Sequence, residues 1–214
     1  MVAQRSGSKG DRTRQAILAR AVDLATVEGL EGLSIGRLAA DLGLSKSGLF
    51  AHFGSKEELQ LATVEAAARI FREEVLKPGL HAPRGLPRLK ALCDAWFSYE
   101  QRRVFRGGCF FAKAASEFDN RPGAVRRRLV SLQRDWLRVL ERAALQAREL
   151  GQLDERDDPV QLAFELQSLA LGAHWAYQLF DDVSALTRGL RAVAERLRVN
   201  DEQATERWSD DVRG

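Results

Sequence analysis

The chain has 214 residues, of which 45% are hydrophobic and 29% are charged, and its formal net charge is +3. This composition is that of a globular protein with one large or two small domains, and it excludes a disordered or collagen-like chain. Charged residues interrupt every long apolar run, which excludes a membrane-spanning helix, and the basic, polar N-terminus predicts no secretion signal.

Three short helices are predicted within the first sixty residues. Each begins at a polar side chain that can accept a hydrogen bond from the first helical turn, and each ends at a glycine, which favours the backbone conformation of a helix C-terminus. The polar residues and their glycines are Asp11 or Thr13 with Gly29, Ser34 with Gly43, and Ser45 with Gly54.

A longer fourth helix and a linker are predicted next. Ser55 and Glu58 have the spacing of a capping box, which predicts a helix over about 55–76 that joins two domains. Residues 77–87 contain three prolines and two glycines, which is the composition of a linker. The predicted divisions are a first domain at residues 1–60, a second domain at 61–200 and a polar tail at 201–214.

The second half of the chain is also predicted to be helical. Apolar residues recur there with helical spacing, and no alternation typical of a strand competes with them. The predicted helices cover about 87–103, 110–118, a long segment starting at 120–122, 158–181 and 183–198. The expected fold class is therefore all-α.

The second and third predicted helices have the spacing of a helix-turn-helix. Ala39 is small enough for a close helix crossing, and Gly43 permits a sharp turn. We expect Leu44 and Leu49 to fill the space between the two helices. The third helix would then present polar N-terminal residues to a DNA major groove. Those polar positions are Ser45, Lys46, Ser47 and Gly48, followed by His52.

Two segments are rich in basic residues. Residues 1–20 carry five Lys and Arg against one acidic residue, and residues 121–138 carry six arginines against one aspartate. Such runs are usually solvated helix faces, and three short helices also occur as a corner of an ordinary α-bundle. Lys56 favours DNA binding instead, because a cation at a helix N-terminus opposes the helix dipole, whereas a bound phosphate is stabilised there.

Residues 13–60 resemble the DNA-binding domain of the TetR family of transcriptional regulators. The segments LSIGRLAADLGLSK at 33–46 and LFAHFGSK at 49–56 carry the resemblance. It implies an N-terminal three-helix DNA-binding domain with a helix-turn-helix, and a C-terminal helical domain for dimerisation and ligand binding. The implied function is a one-component repressor that binds a palindromic double-stranded DNA operator as a homodimer and is released by a small-molecule effector.

The resemblance also implies which residues contact DNA. Phe50 lies where the family often has a tyrosine, and without the hydroxyl its expected role is packing. Gly48 has no side chain to read a base and costs its helix about 1 kcal/mol relative to alanine, so more of the specificity must come from its neighbours. The implied base-facing positions are Lys46, Ser47 and Gly48, with Ser45 before them on the same DNA-binding face, and the implied phosphate contacts are Thr13, Ser34, His52 and Lys56.

Dimerisation is expected through the helices at about 158–181 and 183–198. The first of these is apolar on two faces, which predicts burial on both. Ser168, Gly172 and Ala176 form a row of small residues that allows a partner helix to approach closely. The two helices can complete a four-helix interface across a two-fold axis. The alternative is that both are buried wholly within one subunit.

An effector pocket is expected in the second domain. The aromatic residues there by themselves favour an ordinary core over a pocket, and the resemblance is what reverses this preference. His174 has the alternative of being a core histidine. Cys109 could sense redox state, although a buried, inert thiol is the better interpretation. The expected pocket residues are Trp96, Phe97, Phe110, Phe111, Trp136, Gln167, His174 and Trp175.

Other functions have little support in the sequence. Three histidines and two distant cysteines suggest no metal site, and no nucleophile elbow or phosphate-binding loop is present, so neither catalysis nor a cofactor is expected. The cysteine pattern predicts a reducing, cytoplasmic location. A helical protein–protein adaptor without an effector is the main alternative, and its DNA binding would be weak and independent of Lys46, His52 and Lys56.

Overall fold

The computed structural model describes residues 9–199, and all regular elements in that range are helices. The prediction of an all-α fold is therefore confirmed, whereas the predicted tail at 201–214 lies outside the described residues. The elements are α1 Lys9–Glu28, α2 Ile35–Leu42, α3 Lys46–Phe53, α4 Lys56–Phe71, a π-helical segment Arg72–Leu76, α5 Lys77–His81, α6 Leu86–Gln101, α7 Phe110–Phe118, α8 Ala124–Glu149, α9 Pro159–Phe180 and α10 Ser184–Leu197.

The chain packs as two compact units that alternate along the sequence. Among the described residues, the first unit contains residues 9–70 and Phe105–Ser131, and the second contains Phe71–Val104 and residues 132–199. A packing unit of the structure thus includes a segment that lies more than forty positions beyond the predicted boundary. The assignment of separate functions to residues 1–60 and 61–200 stays a prediction.

The predicted starts of α2 and α3 are formed by the expected side chains, whereas the predicted start of α1 at Asp11 or Thr13 is wrong, because the chain is already helical at Lys9. Ser34 Oγ accepts a hydrogen bond from the backbone of Arg37 at 3.2 Å, and Ser45 Oγ accepts one from Gly48 at 3.1 Å. Gly43 ends α2 in the left-handed region, with φ of 64°. The short α2 and α3 therefore have the predicted boundaries.

The predicted capping box of α4 is only half formed. Ser55 Oγ accepts a hydrogen bond from the backbone of Glu58 at 3.1 Å, as expected for an N-cap. The backbone N–H of Ser55, which a complete box would direct to the Glu58 side chain, instead donates to the carbonyl of Phe53 at 2.7 Å.

The predicted linker at 77–87 is wrong over its first half, because the chain stays helical to His81. Proline lacks an N–H and its ring collides with the carbonyl four residues earlier in a regular α-helix. Here a π-helical segment precedes Pro78, and the backbone N–H of Lys77 donates to the carbonyl of Arg72, five residues earlier. This wider turn begins a new α-helix with Pro78 in its first turn, where the missing N–H costs little.

In the first unit, the segment that includes α7 closes the C-terminal end of α1. Lys113 Nζ donates to the carbonyls of Thr26 and Val27, each at 2.8 Å, and the backbone of Gly107 donates to Thr26 Oγ1 at 3.2 Å. Arg106 Nε donates to the Asp23 carboxylate at 2.9 Å. The two Lys113 bonds satisfy carbonyls that a helix end leaves without partners, and a cation is favourable at that end of the dipole.

In the second unit, α6, α9 and α10 share a core. Phe97, Leu162 and Leu186 are fully buried there. Gly189 permits α10 to pack closely against α9 and α6, because a Cβ at position 189 would lie 2.6 Å from Ala173 Cβ and 2.9 Å from the Phe97 ring. The core therefore depends on a small residue at one crossing point.

Candidate nucleic-acid interface

Helix α3 has one buried side and one exposed side. Leu49 and Phe53 are 0% and 3% exposed and anchor the helix. Lys46, Ser47 and Gly48 are exposed at its N-terminus. Leu44, which we expected to fill the space between α2 and α3, is instead 43% exposed, so this expectation is wrong for Leu44, whereas Leu49 is buried.

Close packing and charge pairs fix α3 against the rest of the first unit. Gly36 leaves room for the Lys46 side chain, since a Cβ there would lie 3.4 Å from Lys46 Cε. The guanidinium of Arg14 lies 4.9 Å from the centre of the Phe53 ring, which is a cation–π contact between α1 and α3. Helix α3 is thus held against α2 by close packing at Gly36 and against α1 by Arg14.

Helices α1 and α2 are joined by ion pairs. Arg20 Nε donates to Asp41 at 2.5 Å, and Arg37 Nε donates to Glu28 at 3.0 Å. The hydrogen bond from Arg20 lowers the pKa of Asp41, and the one from Arg37 lowers the pKa of Glu28. Both carboxylates therefore stay ionised at neutral pH and keep the two helices in register.

The side chains predicted to contact the DNA backbone differ in exposure. Thr13 is exposed on α1, Ser34 is partly exposed while capping α2, and His52 is partly exposed beside Phe53 at a ring distance of 6.2 Å. Phe50 is 54% exposed. Its expected packing role is therefore not fulfilled within the chain, and a partner molecule would have to cover it.

Lys56 has an intramolecular partner that the sequence argument did not include. Its Nζ lies 2.9 Å from Glu31 Oε1. The inference that a cation at the start of α4 requires a phosphate is therefore incomplete, because the Glu31 carboxylate already supplies a negative charge. Lys56 is still 46% exposed, so it is accessible to an external anion.

The same carboxylate also binds a residue that sequence reasoning did not select. Arg121 Nη1 lies 3.4 Å from Glu31 Oε1, and Gln60 Nε2 lies 3.3 Å from Glu31 Oε2. Arg121 was noted only as part of a basic run. Its position 90 residues from Glu31 gives no spacing signal, because the fold alone brings the two together.

Two family models match the chain over most of its helices. Residues 17–63 match the model described as bacterial regulatory proteins, tetR family, and residues 85–193 match the model described as Tetracyclin repressor-like, C-terminal domain. The chain belongs to the TetR family. Proteins of this family are DNA-binding transcription factors and not enzymes, and repressor activity and response to ligands are typical of them. A search of functionally curated proteins found no match.

Solved structures of TetR-family proteins share the fold. A regulator from Chloroflexus aurantiacus J-10-FL is 26% identical with a TM-score of 0.83, and the match covers 90% of this chain and 97% of that one. A regulator from Streptomyces coelicolor is 25% identical with a TM-score of 0.74, covering 87% and 94%. The structure of AibR in complex with isovaleryl coenzyme A and operator DNA is 25% identical with a TM-score of 0.68, covering 85% and 96%.

Several predicted effector residues of this TetR-family chain meet in the second unit. Trp136 Nε1 donates to Gln167 Oε1 at 2.7 Å, and the rings of Trp96 and His174 meet edge to face with centres 6.5 Å apart. His174 Nδ1 lies 2.8 Å from Glu100 Oε2. Gln167 and His174 are thus hydrogen-bonded within the chain, as the alternative of a satisfied core histidine requires.

Glu100 is a residue that the sequence did not indicate. Its side chain is completely buried, and among the described residues its Oε1 atom has no hydrogen-bond partner. A buried carboxylate normally has its oxygens satisfied. A glutamate near the end of a helix is common in sequences. Only the burial of Glu100 distinguishes it, and burial can be seen only in the structure.

Three predicted pocket residues are placed differently from the others. Phe110 and Phe111 are buried in the first unit and contact each other with ring centres 5.4 Å apart. Trp175 is 58% exposed on α9 and packs on Phe180 with ring centres 5.2 Å apart. The structure therefore does not place Trp175 with buried Trp96 and Phe97, and a pocket role for it is not supported.

Other site chemistries were also considered. Cys93 and Cys109 are both reduced and buried, and burial raises the pKa of the Cys93 thiol to about 12. Over residues 9–199, no group of three or more His, Cys, Asp and Glu side chains is arranged to hold a metal ion. In the same range, no helix has both the length and the apolar character needed to cross a membrane.

Proposed function

We propose that the chain is a one-component repressor that binds a palindromic operator as a homodimer and is released by a small-molecule effector. The observation that carries this proposal is the exposed N-terminal half of α3, with Lys46, Ser47 and Gly48 accessible while Leu49 and Phe53 are buried. An α-helix exposed in this way fits the major groove of duplex DNA.

The proposed DNA contacts divide into base readout and backbone positioning. Lys46 and Ser47 supply base readout, because Lys commonly donates to guanine O6 and N7 and Ser can bond either donors or acceptors. The backbone contacts fix orientation without reading sequence. They are Thr13, Ser34, His52 and Lys56, with Phe50 packing against the DNA backbone, and Ser45 and Gly48 lie beside the base-reading residues at the start of α3.

An exposed apolar face supports dimerisation through α9 and α10. On α9, Val160, Phe164, Trp175 and Leu179 are each 58–64% exposed, although the opposite side of the helix is buried in the second unit. Contiguous apolar surface of this kind marks an interaction site in a soluble protein. A symmetric four-helix contact between two copies would cover it.

A groove between α9 and α10 lies beside this face. It has a volume of about 870 Å³, and small residues at Ser168, Gly172 and Ala176 form part of its wall. Over residues 9–199, no atom apart from the neighbouring residues and backbone of α9 lies within 4 Å of where a Gly172 Cβ would be. The space fits the side chains of a second copy approaching along the two-fold axis.

The effector part of the proposal concerns buried polar groups in the second unit. Gln167 contacts Trp136, His174 contacts Trp96, and the buried Glu100 pairs with His174. A few polar groups among apolar side chains are typical of ligand sites. A similar protein was solved with isovaleryl coenzyme A and operator DNA, so acyl coenzyme A compounds are suitable first probes. Release would follow if the effector binds best to a form with low operator affinity.

Sequence selection with the purified chain tests the base-reading role. We expect Lys46→Ala to relax the preference at one base position in each half-site, with a discrimination loss of about 1–3 kcal/mol. Lys77→Ala is the matched control, because Lys77 is 59% exposed on α5 and pairs with Glu73 in the second unit. A Lys46→Ala profile identical to that of the wild type would contradict the proposal, as would weak DNA binding that does not depend on Lys46, His52 and Lys56.

A further inference from the structure

In the first unit, three nitrogen donors surround the Glu31 carboxylate. Lys56 Nζ and Arg121 Nη1 lie 2.9 and 3.4 Å from its Oε1, and Gln60 Nε2 lies 3.3 Å from its Oε2. Lys56 lies in the first turn of α4 and Gln60 in the next turn, whereas Arg121 lies in the loop between α7 and α8. Together they form a cradle for an oxyanion, which an internal carboxylate fills.

The cradle is fixed by buried contacts. Gln60 is 5% exposed, and its Nε2 also donates to the carbonyl of Leu30 at 2.9 Å. The backbone N–H of Glu31 donates to Glu117 Oε2 at 2.9 Å. The hydrogen bond from Lys56 lowers the pKa of Glu31, so the carboxylate is ionised at neutral pH. The arrangement is therefore formed before any ligand arrives.

The two cations in the cradle remain open to solvent. Lys56 is 46% and Arg121 is 55% exposed. Lys56 and Arg121 share the single Glu31 carboxylate, and Lys56 begins a 16-residue helix whose dipole favours anions at this end, while Glu57 and Glu58 of the same turn offset part of the positive charge. A phosphate resembles a carboxylate in presenting several acceptor oxygens, and it can accept from both cations at once.

We propose that Arg121 and Lys56 together bind one backbone phosphate of the DNA, and that Glu31 occupies their donors when DNA is absent. This rests on the proposed function, which places Lys56 at the DNA backbone. Arg121 lies outside the helix-turn-helix and extends the DNA-binding surface to the loop before α8. Glu31 competes with the phosphate and lowers the affinity for every DNA sequence alike.

The proposal predicts opposite effects for two substitutions. Arg121→Ala removes a phosphate contact, so we expect binding at about 0.1 M salt to weaken five- to tenfold for each bound subunit, and the salt slope to fall by about one per subunit. Glu31→Gln removes the competing carboxylate and is expected to tighten binding severalfold while steepening the slope. Neither change should alter the preferred sequence, since a phosphate contact carries no base information.

The measurement is the affinity for a selected operator duplex and for a random duplex of equal length, taken between about 50 and 200 mM salt. Arg138→Ala is the matched control, because Arg138 is 65% exposed on α8 and pairs with Asp135 in the second unit. Arg121→Lys keeps the charge and should retain most of the slope. Thermal unfolding of each variant separates a folding defect from a lost contact.

The outcomes separate this inference from the proposed function. If wild-type binding depends on Lys46 and Lys56 but Arg121→Ala behaves like Arg138→Ala, the inference is wrong and the proposed function stands. It is also wrong if Glu31→Gln binds no more tightly than the wild type. If Lys46→Ala and Lys56→Ala are themselves without effect on DNA binding, the proposed function fails first.

Discussion

Gly107 illustrates how a single residue without a side chain can set the packing of the first unit. Its backbone lies against the end of α1, where it donates to Thr26 Oγ1, and a Cβ at this position would lie 1.8 Å from the Thr26 carbonyl oxygen. That neighbour is backbone and cannot rotate away. The glycine is therefore required by space and not by an unusual backbone conformation.

We expect Gly107→Ala to lower the free energy of unfolding by about 1–3 kcal/mol or more, because extra atoms forced into a packed site usually cost this much. Urea unfolding monitored by circular dichroism measures the change. Gly36→Ala is the control, because its nearest neighbour would be the flexible Lys46 side chain at 3.4 Å. Equal stabilities for the two variants would contradict the packing at Gly107.

Single residues also mark the limit of what the sequence could predict. Ser34, Ser45 and Gly43 were assigned correctly, because caps depend on neighbours a few positions away. The partner of Lys56 is 25 positions distant and the burial of Glu100 depends on a separate helix, so no local pattern reports either. Residues whose role depends on tertiary contacts therefore required the structure.

At the scale of elements, α9 carries the feature that matters most for assembly. The sequence predicted a helix that is apolar on two faces and buried on both. The chain itself buries one of these faces, and the other includes Phe164 at 64% and Trp175 at 58% exposure. Periodicity predicts that a face is apolar, but it cannot tell whether the same chain or a second copy covers that face.

We expect Phe164→Ser combined with Trp175→Ser to raise the dimer dissociation constant by at least about a hundredfold, because truncating large interface aromatics typically costs 2 kcal/mol or more. Sedimentation equilibrium measures this constant. Leu80→Ser is the control, since Leu80 is 44% exposed on α5 and lies away from α9 and α10 in the sequence. An unchanged constant for the double variant would refute dimerisation through this face.

The segment from α4 to α5 shows why one prediction at this scale was wrong. The Lys77-Pro78-Gly79 sequence has the composition of a chain break, and local rules place a helix end there. The π-helical segment before Pro78 absorbs the steric conflict, so the helix resumes. A widened turn has no sequence signature comparable to a cap, and the continuation could not be predicted.

At the scale of the whole molecule, the account depends on two copies reading DNA together. A dimer with two-fold symmetry binds half-sites whose centres are one helical turn apart, roughly 34–36 Å. One copy alone offers the eight-residue α3 and the few proposed backbone contacts, which would suffice for weak binding only. Under the proposed function, simultaneous engagement of two half-sites gives the operator affinity.

A spacing series on the selected operator tests this central claim most directly. Duplexes carrying the natural spacing or about five additional base pairs between the half-sites are compared by titration with the purified chain. Half a turn of added DNA puts the second half-site on the opposite side of the duplex, so we expect the affinity to fall to that of a single half-site. Equal affinity for both duplexes would contradict the account.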